Sequence, residues 1–414
     1  MISIRDIQVT LTAPMGRNLL VVRVLTTEPE LSGLGCGTFT QRYLPVASTI
    51  NDHLKPLLIG RDATQTEELF RLMMVNGYWR NGPVLNNAVA AIDIALWDLK
   101  AKLAGLPLYQ LLGGKMREGA AVYQHADGRS LNELADHTQA QIDRGMRHVR
   151  IRFGGGSNET RASGEAGGLA YGGALTEALN QPDGAPGGAY FDPTQYMRST
   201  LEALEHIRRS FGDSIELLHD THCRLTSAQA IAFSRDLEGY RLFFLEDVLP
   251  PEDLAWYQHV RANTTTPQAV GELFNNPNEW TPLIANRWID FIRMHTSHMG
   301  GLTPARKVAA LAEAFGVRVA WHGPGDLSPI GHAANLHLNL TLPNFGVQEL
   351  QPFTPETEEV FPGCPVFRNG YLYPNERPGH GVDLDEKVAA RYPCDPAVIG
   401  WTQARLPDGS ITWP

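Results

Sequence analysis

The sequence predicts a parallel α/β barrel preceded by a smaller domain, and three observations carry that reading. Eight short apolar runs of strand length succeed one another from about residue 120, with helical patterns between most of them. Such alternation builds a parallel sheet with helices on its faces, and eight units close it into a barrel. Polar side chains recur at the C-terminal ends of the runs around the whole series, whereas an open doubly wound sheet would gather them at one switch point. Finally, Asp220, Glu246 and Glu272 each close one run, and the interval between the first two equals that between the last two.

The N-terminal part contains strand-like runs at Ile2–Leu11 and Leu19–Thr26, then a long helical pattern from Asn86 to Ala104. Ile92, Leu96, Leu99 and Leu103 recur at three and four residues on one face of it. Gly105 and Pro107 end it, and a second short helix, Leu108–Leu112, stops at Gly113-Gly114. Met1–Gln41 is expected to supply a lid segment, since its run Gly35-Cys36-Gly37-Thr38-Phe39-Thr40 is turn-rich. The barrel strands are expected at Ala121–His125, His148–Arg152, Ile215–Asp220, Leu242–Glu246, Gln268–Glu272, Ile289–Arg293, Arg318–His322 and Phe345–Glu349. Helices are expected at Tyr196–Phe211, Ser227–Leu237, Pro304–Phe315 and Ile330–Leu340. A stretch rich in Gly, Ala and Ser between Gly154 and Gly188 follows the second barrel strand, where a long loop belongs to the catalytic face. From about Pro374 periodicity fades. The expected domains are residues 1–119, the barrel at 120–375, and a segment at 376–414 that packs back on the first.

Composition narrows the function. With 414 residues there is room for one large domain and a smaller one, and a net charge of −10 argues against a general binder of nucleic acid or anionic membranes. No apolar run is long enough to span a bilayer, and the N-terminus reads as a strand instead of a signal peptide. Four cysteines, Cys36, Cys223, Cys364 and Cys394, lack any CxxC spacing, which fits a reducing cytoplasm and gives no structural zinc site. Cys223 reads as a buried spectator.

Three carboxylates gathered at one barrel face repel one another and raise each other's pKa values unless a cation sits among them. Oxygen ligands without Cys or His suit a hard ion, and magnesium accepts carboxylates together with waters and substrate oxygens. Asp220, Glu246 and Glu272 are therefore the expected metal ligands.

At these residues the chain resembles the enolase superfamily. AAIDIALWDLKAKLAGLPLYQLLGG (Ala90–Gly114) is similar to the signature of that superfamily's capping domain, and the Asp/Glu/Glu set matches its magnesium site. The resemblance implies an α+β capping domain on a modified (β/α)7β barrel, a homo-oligomer (tetramer or octamer), and abstraction of a proton alpha to a carboxylate. HDTHCRLT (His219–Thr226), FLEDVLPPED, GELFNN, IRMHTSHMGG and WHGPGD most resemble the D-mannonate dehydratase family.

The base follows partly from chemistry. Where many superfamily members carry a Lys-x-Lys pair, this chain reads His148-Val149-Arg150-Ile151-Arg152, and arginine is a poor base at neutral pH. His322 stands where others use a histidine base, but His295 replaces its partner aspartate. The resemblance implies instead that Tyr171 is the base, activated by Arg150, with Tyr190 the competing tyrosine. It implies His222 as the acid that protonates the leaving 3-hydroxyl of a six-carbon sugar acid. Contacts to that substrate are implied for His125, Arg293, His322, Asp326 and Glu349, and Trp413 and Thr40 are further candidates. Pro324 and Thr40 depart from the efficient mannonate dehydratases and point to the slow branch that also acts on D-gluconate.

Overall fold

The computed structural model describes residues 2–154, 182–186, 190–325, 327–396 and 403–414. The strands, in chain order, are β1 (Ile4–Thr12), β2 (Leu19–Thr26), β3 (Ser32–Cys36), β4 (Ala120–Gly128), β5 (His148–Phe153), β6 (Glu216–Asp220), β7 (Phe244–Glu246), β8 (Gln268–Val270), β9 (Phe291–Ile292), β10 (Arg318–Val319), β11 (Gln348–Glu349), β12 (Val366–Arg368) and β13 (Tyr371–Tyr373). Two compact units divide the chain. One holds Met1–Val122, Gly271–Ala285 and Ile292–Pro396; the other holds Tyr123–Val270, Asn286–Phe291 and Ala397–Pro414.

In the first unit β1, β2 and β3 form an antiparallel sheet in that order. Ile4, Ile7, Val9 and Leu11 all join its core. Strand side chains alternate, so Ile4 and Ile7 belong to opposite faces of a regular strand. A register shift between Ile4 and Asp6 inserts the extra residue that brings them to the same side.

The sheet packs on the helix Pro83–Ala104 at unusually close range. A Cβ on Gly33, Gly35 or Gly37 would lie 1.9, 1.9 or 2.1 Å from the carbonyl oxygens of Ala95, Ala91 and Asn87. Two strand residues advance about 6.7 Å and four helix residues about 6 Å, so the glycines meet successive helical turns in step. Gly35 and Cys36, expected in a turn-rich run, are thus the end of a strand whose glycines admit a helix backbone. The helix starts at Pro83 and ends at Gly105 in the left-handed region. It is buried nearly all round instead of along one stripe, and Leu103, expected on the apolar face, is 48% exposed.

Later strands of the same unit are short and staggered. The N–H of Ala320 donates to the carbonyl of Ile292 and that of His322 to Met294, both at 3.0 Å. Val319 bridges Phe345 in parallel, and the Glu349 N–H reaches the Trp321 carbonyl at 3.4 Å. β12 and β13 form a hairpin about Asn369-Gly370, both at positive φ, and β13 pairs antiparallel with Ala120 and Ala121. The Thr12 hydroxyl donates to the Ala389 carbonyl at 2.9 Å.

In the second unit β4 to β8 form a parallel ladder in sequence order. Helices Leu131–Asp143, Pro193–Phe211, Ser227–Asp236 and Tyr257–Asn263 separate the strands. Side-chain alternation sorts the residues. On one face Tyr123 meets Phe244 edge-on at 6.1 Å, and the Arg150 guanidinium lies 5.9 Å from the Tyr123 ring centre. On the other, His219 faces the helices, with Nε2 2.6 Å from the Tyr196 hydroxyl. Each expected barrel strand overlaps an observed one, and β4 and β5 run beyond the expected bounds. Among the described residues no helix is long and apolar enough to cross a membrane.

Candidate active site

In the second unit the site grows from the ends of three strands. β6 and β7 run in parallel with Asp220 directly opposite Glu246. Both carboxylates are buried, and Arg150 on β5 joins them: its Nη1 donates to Glu246 Oε1 at 2.8 Å and lies 3.4 Å from Asp220 Oδ2. Arg150 is itself 2% exposed. A single guanidinium shared by two carboxylates balances one of their charges.

Beyond β6 the chain turns sharply. His222 and Cys223 both adopt left-handed backbone conformations, φ 59° and 61°. Two such non-glycine residues in succession are held by local bonds: the His222 N–H donates to Asp220 Oδ1 at 2.8 Å and the Cys223 N–H to the Asp247 carbonyl at 2.7 Å. His222 Nδ1 lies 2.6 Å from the Pro414 carbonyl oxygen. Burial lowers the His222 pKa to about 4, against the opposing pull of Asp220.

The first unit holds a second set. Arg293, fully buried, donates from Nη1 to Glu272 Oε2 at 2.8 Å and from Nη2 to Glu349 Oε2 at 2.5 Å. Glu349 Oε2 also accepts the Gly323 N–H at 3.1 Å. His322 Nε2 lies 3.3 Å from Glu272 Oε2 and 3.6 Å from Glu349 Oε2. Its pKa falls well below the ordinary histidine value, first through burial and then through the charge of Arg293, so the ring is neutral. His295, standing where the resemblance expects an aspartate, stacks on His298 at 4.1 Å and is likewise kept neutral by burial.

Comparison with known proteins places this geometry. The model of the mandelate racemase/muconate lactonizing enzyme N-terminal domain matches residues 2–113, and that of the enolase C-terminal domain-like family matches residues 133–388. A D-galactonate dehydratase family member of Enterococcus gallinarum is 49% identical over 99% of this chain and 98% of its own length. Another from Enterocloster bolteae is 50% identical over 100% and 99%. The chain belongs to the D-galactonate dehydratase family of the enolase superfamily. An enolase from Pantoea ananatis, solved with bound D-gluconate and Mg, is 46% identical and superimposes with a TM-score of 0.95 over 100% of both chains. The fold is that of the superfamily, an N-terminal capping domain and a C-terminal α/β barrel domain, and the protein is an enzyme of the dehydratase class.

The residues suit the superfamily's metal. Asp220, Glu246 and Asp247 each offer a carboxylate oxygen, all buried and all within 4.8 Å of one another. An oxygen-only set of this kind fits magnesium. Sequence reasoning passed over Asp247. Neighbouring strand residues point to opposite faces, so an acid directly after Glu246 reads as facing away; a left-handed turn at Asp247 (φ 43°) breaks that alternation. The Glu-Asp pair in FLEDVLPPED was the available signal. His298, whose Nδ1 lies 3.1 Å from the Glu272 carbonyl oxygen, was also passed over.

The other expected residues are placed as follows. His125, on β4, is half-buried and sits opposite Arg150 in the ladder. Thr40 donates its hydroxyl to the Asn18 carbonyl at 3.1 Å. Trp413 is 52% exposed. Tyr190 is buried, and its hydroxyl donates to the Pro186 carbonyl. Tyr171 and Asp326 lie outside the described residues.

Proposed function

We propose that the protein is a magnesium-dependent dehydratase of six-carbon sugar acids, converting D-mannonate, D-gluconate or both to 2-keto-3-deoxy-D-gluconate at low efficiency. One observation carries the reading: a buried Asp220–Glu246 pair at adjacent strand ends, with His222 tied two residues on to the first of them. The Pantoea relative with its bound D-gluconate and Mg supports the substrate class.

In this reading Asp220, Glu246 and Glu272 hold the metal, and Asp247 is a further carboxylate beside the first two. Magnesium, when bound, supplies positive charge beside the substrate carboxylate and so makes the C2 proton acidic. Tyr171 takes that proton, and the guanidinium of Arg150 favours its phenolate. His222, protonated on both ring nitrogens, delivers its Nε2 proton to the departing 3-hydroxyl, which leaves as water, and the ring is left in its neutral form. The resulting enol tautomerises to the 2-keto acid. Arg293, His322 and Glu349 contact the acid end of the substrate, while His125, Asp326, Thr40 and Trp413 contact its chain. The protein works as a homo-oligomer, a tetramer or octamer, which sedimentation measures directly.

D-mannonate and D-gluconate differ only at C2, the carbon that loses its proton, so both give the same product. D-galactonate, for which the relatives' family is named, differs from D-gluconate at C4. A keto-acid assay with magnesium and these three acids tests the proposal. Turnover is expected on D-mannonate or D-gluconate and lost in His222→Asn and Tyr171→Phe. Full turnover in both variants would refute the roles. Binding without keto-acid formation across the panel would instead make the protein a silent metabolite-binding relative.

A further inference from the structure

The segment Ala404–Pro414 is built to deliver one backbone oxygen. Leu406-Pro407-Asp408-Gly409-Ser410 is a turn in which proline sets φ, Asp408 Oδ1 accepts the Ser410 N–H at 2.9 Å, and Gly409 takes φ 88°. The Leu406 N–H donates to the Ser410 carbonyl at 2.8 Å and the Thr412 N–H to the Ala404 carbonyl at 2.9 Å, so the strands on either side pair as a short hairpin. Arg405 bridges Ile411 across it and closes the turn with a guanidinium bond to the Gly409 carbonyl at 2.7 Å. The hairpin is anchored in turn: the Phe191 N–H donates to the Arg405 carbonyl at 2.7 Å, and Tyr190 bridges Arg405 in parallel. Phe191 leads into the helix Pro193–Phe211, whose N-cap Asp192 accepts two backbone N–H groups. Two residues past the hairpin, the Pro414 carbonyl oxygen reaches His222 Nδ1 at 2.6 Å.

A carbonyl oxygen only accepts. At that distance Nδ1 must carry the hydrogen, which leaves Nε2 as the ring nitrogen that can take or give a proton. We infer that the Pro414 carbonyl is a positioning group for the dehydration: it fixes the tautomer and direction of the His222 ring, so that Nε2 is the nitrogen offered to the substrate. This rests on the reading of His222 as the acid. His222 sits in a left-handed turn whose main-chain N–H is bound to Asp220 Oδ1, so the turn and the Pro414 contact act on different parts of the residue, backbone and ring.

The test compares two variants of the magnesium-loaded enzyme, both of which keep Trp413. The first is a chain ending at Trp413, which lacks the Pro414 oxygen. The second has the full length with Pro414→Ala, which changes the side chain but keeps that oxygen. Loss of an orienting partner is expected to lower kcat by about tenfold to a hundredfold in the shortened chain, with KM changed by less than about threefold. The Pro414→Ala chain is expected to recover most of that loss in kcat. The 15N spectrum of the imidazoles, with the His222 signal assigned by its disappearance in His222→Asn, should show the Nδ1–H form in the wild type and in Pro414→Ala, and mixed tautomers in the shortened chain. Should the shortened chain not fold, the spectrum of the wild type still decides, because an Nε2–H form of His222 there overturns the inference. Equal kcat in the shortened and Pro414→Ala chains, with an unchanged tautomer, overturns it as well. If His222→Asn keeps full turnover, the role of His222 fails instead, and the spectrum still decides whether the carbonyl sets the tautomer.

Discussion

Acidification should loosen this protein from about pH 6.5 downwards, and His337 gives the effect a measurable share. Its ring is wholly buried on the helix Pro329–Asn339 and stacks on Tyr109 at 5.5 Å. Nδ1 accepts the Tyr109 backbone N–H at 3.1 Å, so protonation there would break the bond as well as bury a charge. Burial, and then the neighbouring His380, lower the pKa from 6.5 to about 3. The sign follows from that depression. Above pH 6.5 the ring is neutral in both folded and unfolded chains and its contribution to stability is complete. Below it the unfolded chain takes the proton first, and stability is lost until pH falls through the folded value. The whole span corresponds to roughly 5 kcal/mol, of which about 2 kcal/mol is gone by pH 5. His337→Asn keeps an acceptor near Nδ1 but cannot be protonated. Urea midpoints measured from pH 7.5 to 5 should fall less steeply in the variant, by about 2 kcal/mol over the range. Other buried histidines, His219 and His332 among them, titrate in both proteins and cancel in the comparison. Identical slopes in the two proteins would refute the reasoning.

Three further outcomes are expected. Gly35→Ala puts a methyl 1.9 Å from the Ala91 carbonyl oxygen and should cost about 3 kcal/mol, whereas Gly239→Ala, with nothing within 4 Å and no positive φ, should be neutral or stabilising by about 0.4–1 kcal/mol; thermal melts compare them. Chelation with EDTA should abolish keto-acid formation and added magnesium should restore it, while retained turnover after exhaustive chelation would exclude an essential metal. Arg293→Met removes the guanidinium that bonds both Glu272 and Glu349, and should destabilise by about 3–5 kcal/mol with loss of turnover, read by urea midpoints and the keto-acid assay.

What the sequence made legible was the part written in side-chain type and spacing. A strand end followed by an acid is visible because apolar residues fill the strand and the acid cannot join them, and so Asp220 and Glu246 could be paired before their ladder register was known. Arg150 was legible because β5 carries arginines where many superfamily members carry a Lys-x-Lys pair. The rest depended on backbone geometry. Gly33, Gly35 and Gly37 carry no mark that separates a turn from a strand pressed against a helix; only the carbonyls of Asn87, Ala91 and Ala95 decide it. Asp247 was obscured by a left-handed turn that no local residue demands. The β12–β13 hairpin had a signal, Asn369-Gly370, but it lies after the eighth expected strand, where no further strand was sought. The Pro414 carbonyl had none at all, since every residue carries one.

The ion pairs of the two units bear on function more than on stability. Arg150 with Asp220 and Glu246, and Arg293 with Glu272 and Glu349, are each taken almost entirely out of water. Desolvating such groups costs several kcal/mol per ion, and well-packed apolar replacements of a whole buried cluster are often neutral or stabilising. Folding alone therefore gives no reason to keep six charged groups in two buried clusters. A reaction that develops negative charge on its substrate does give one, because fixed charges in a medium of low polarity act on that charge without first having to reorient. Each arginine also fixes the direction of its carboxylates by charge-assisted hydrogen bonds or close ion pairing. The same reasoning explains why His322, beside Glu272 and Glu349, is neutral: burial disfavours its charged form first, and with Arg293 already present a second positive charge there would be more uphill still, so the ring is left to hydrogen-bond instead of to titrate.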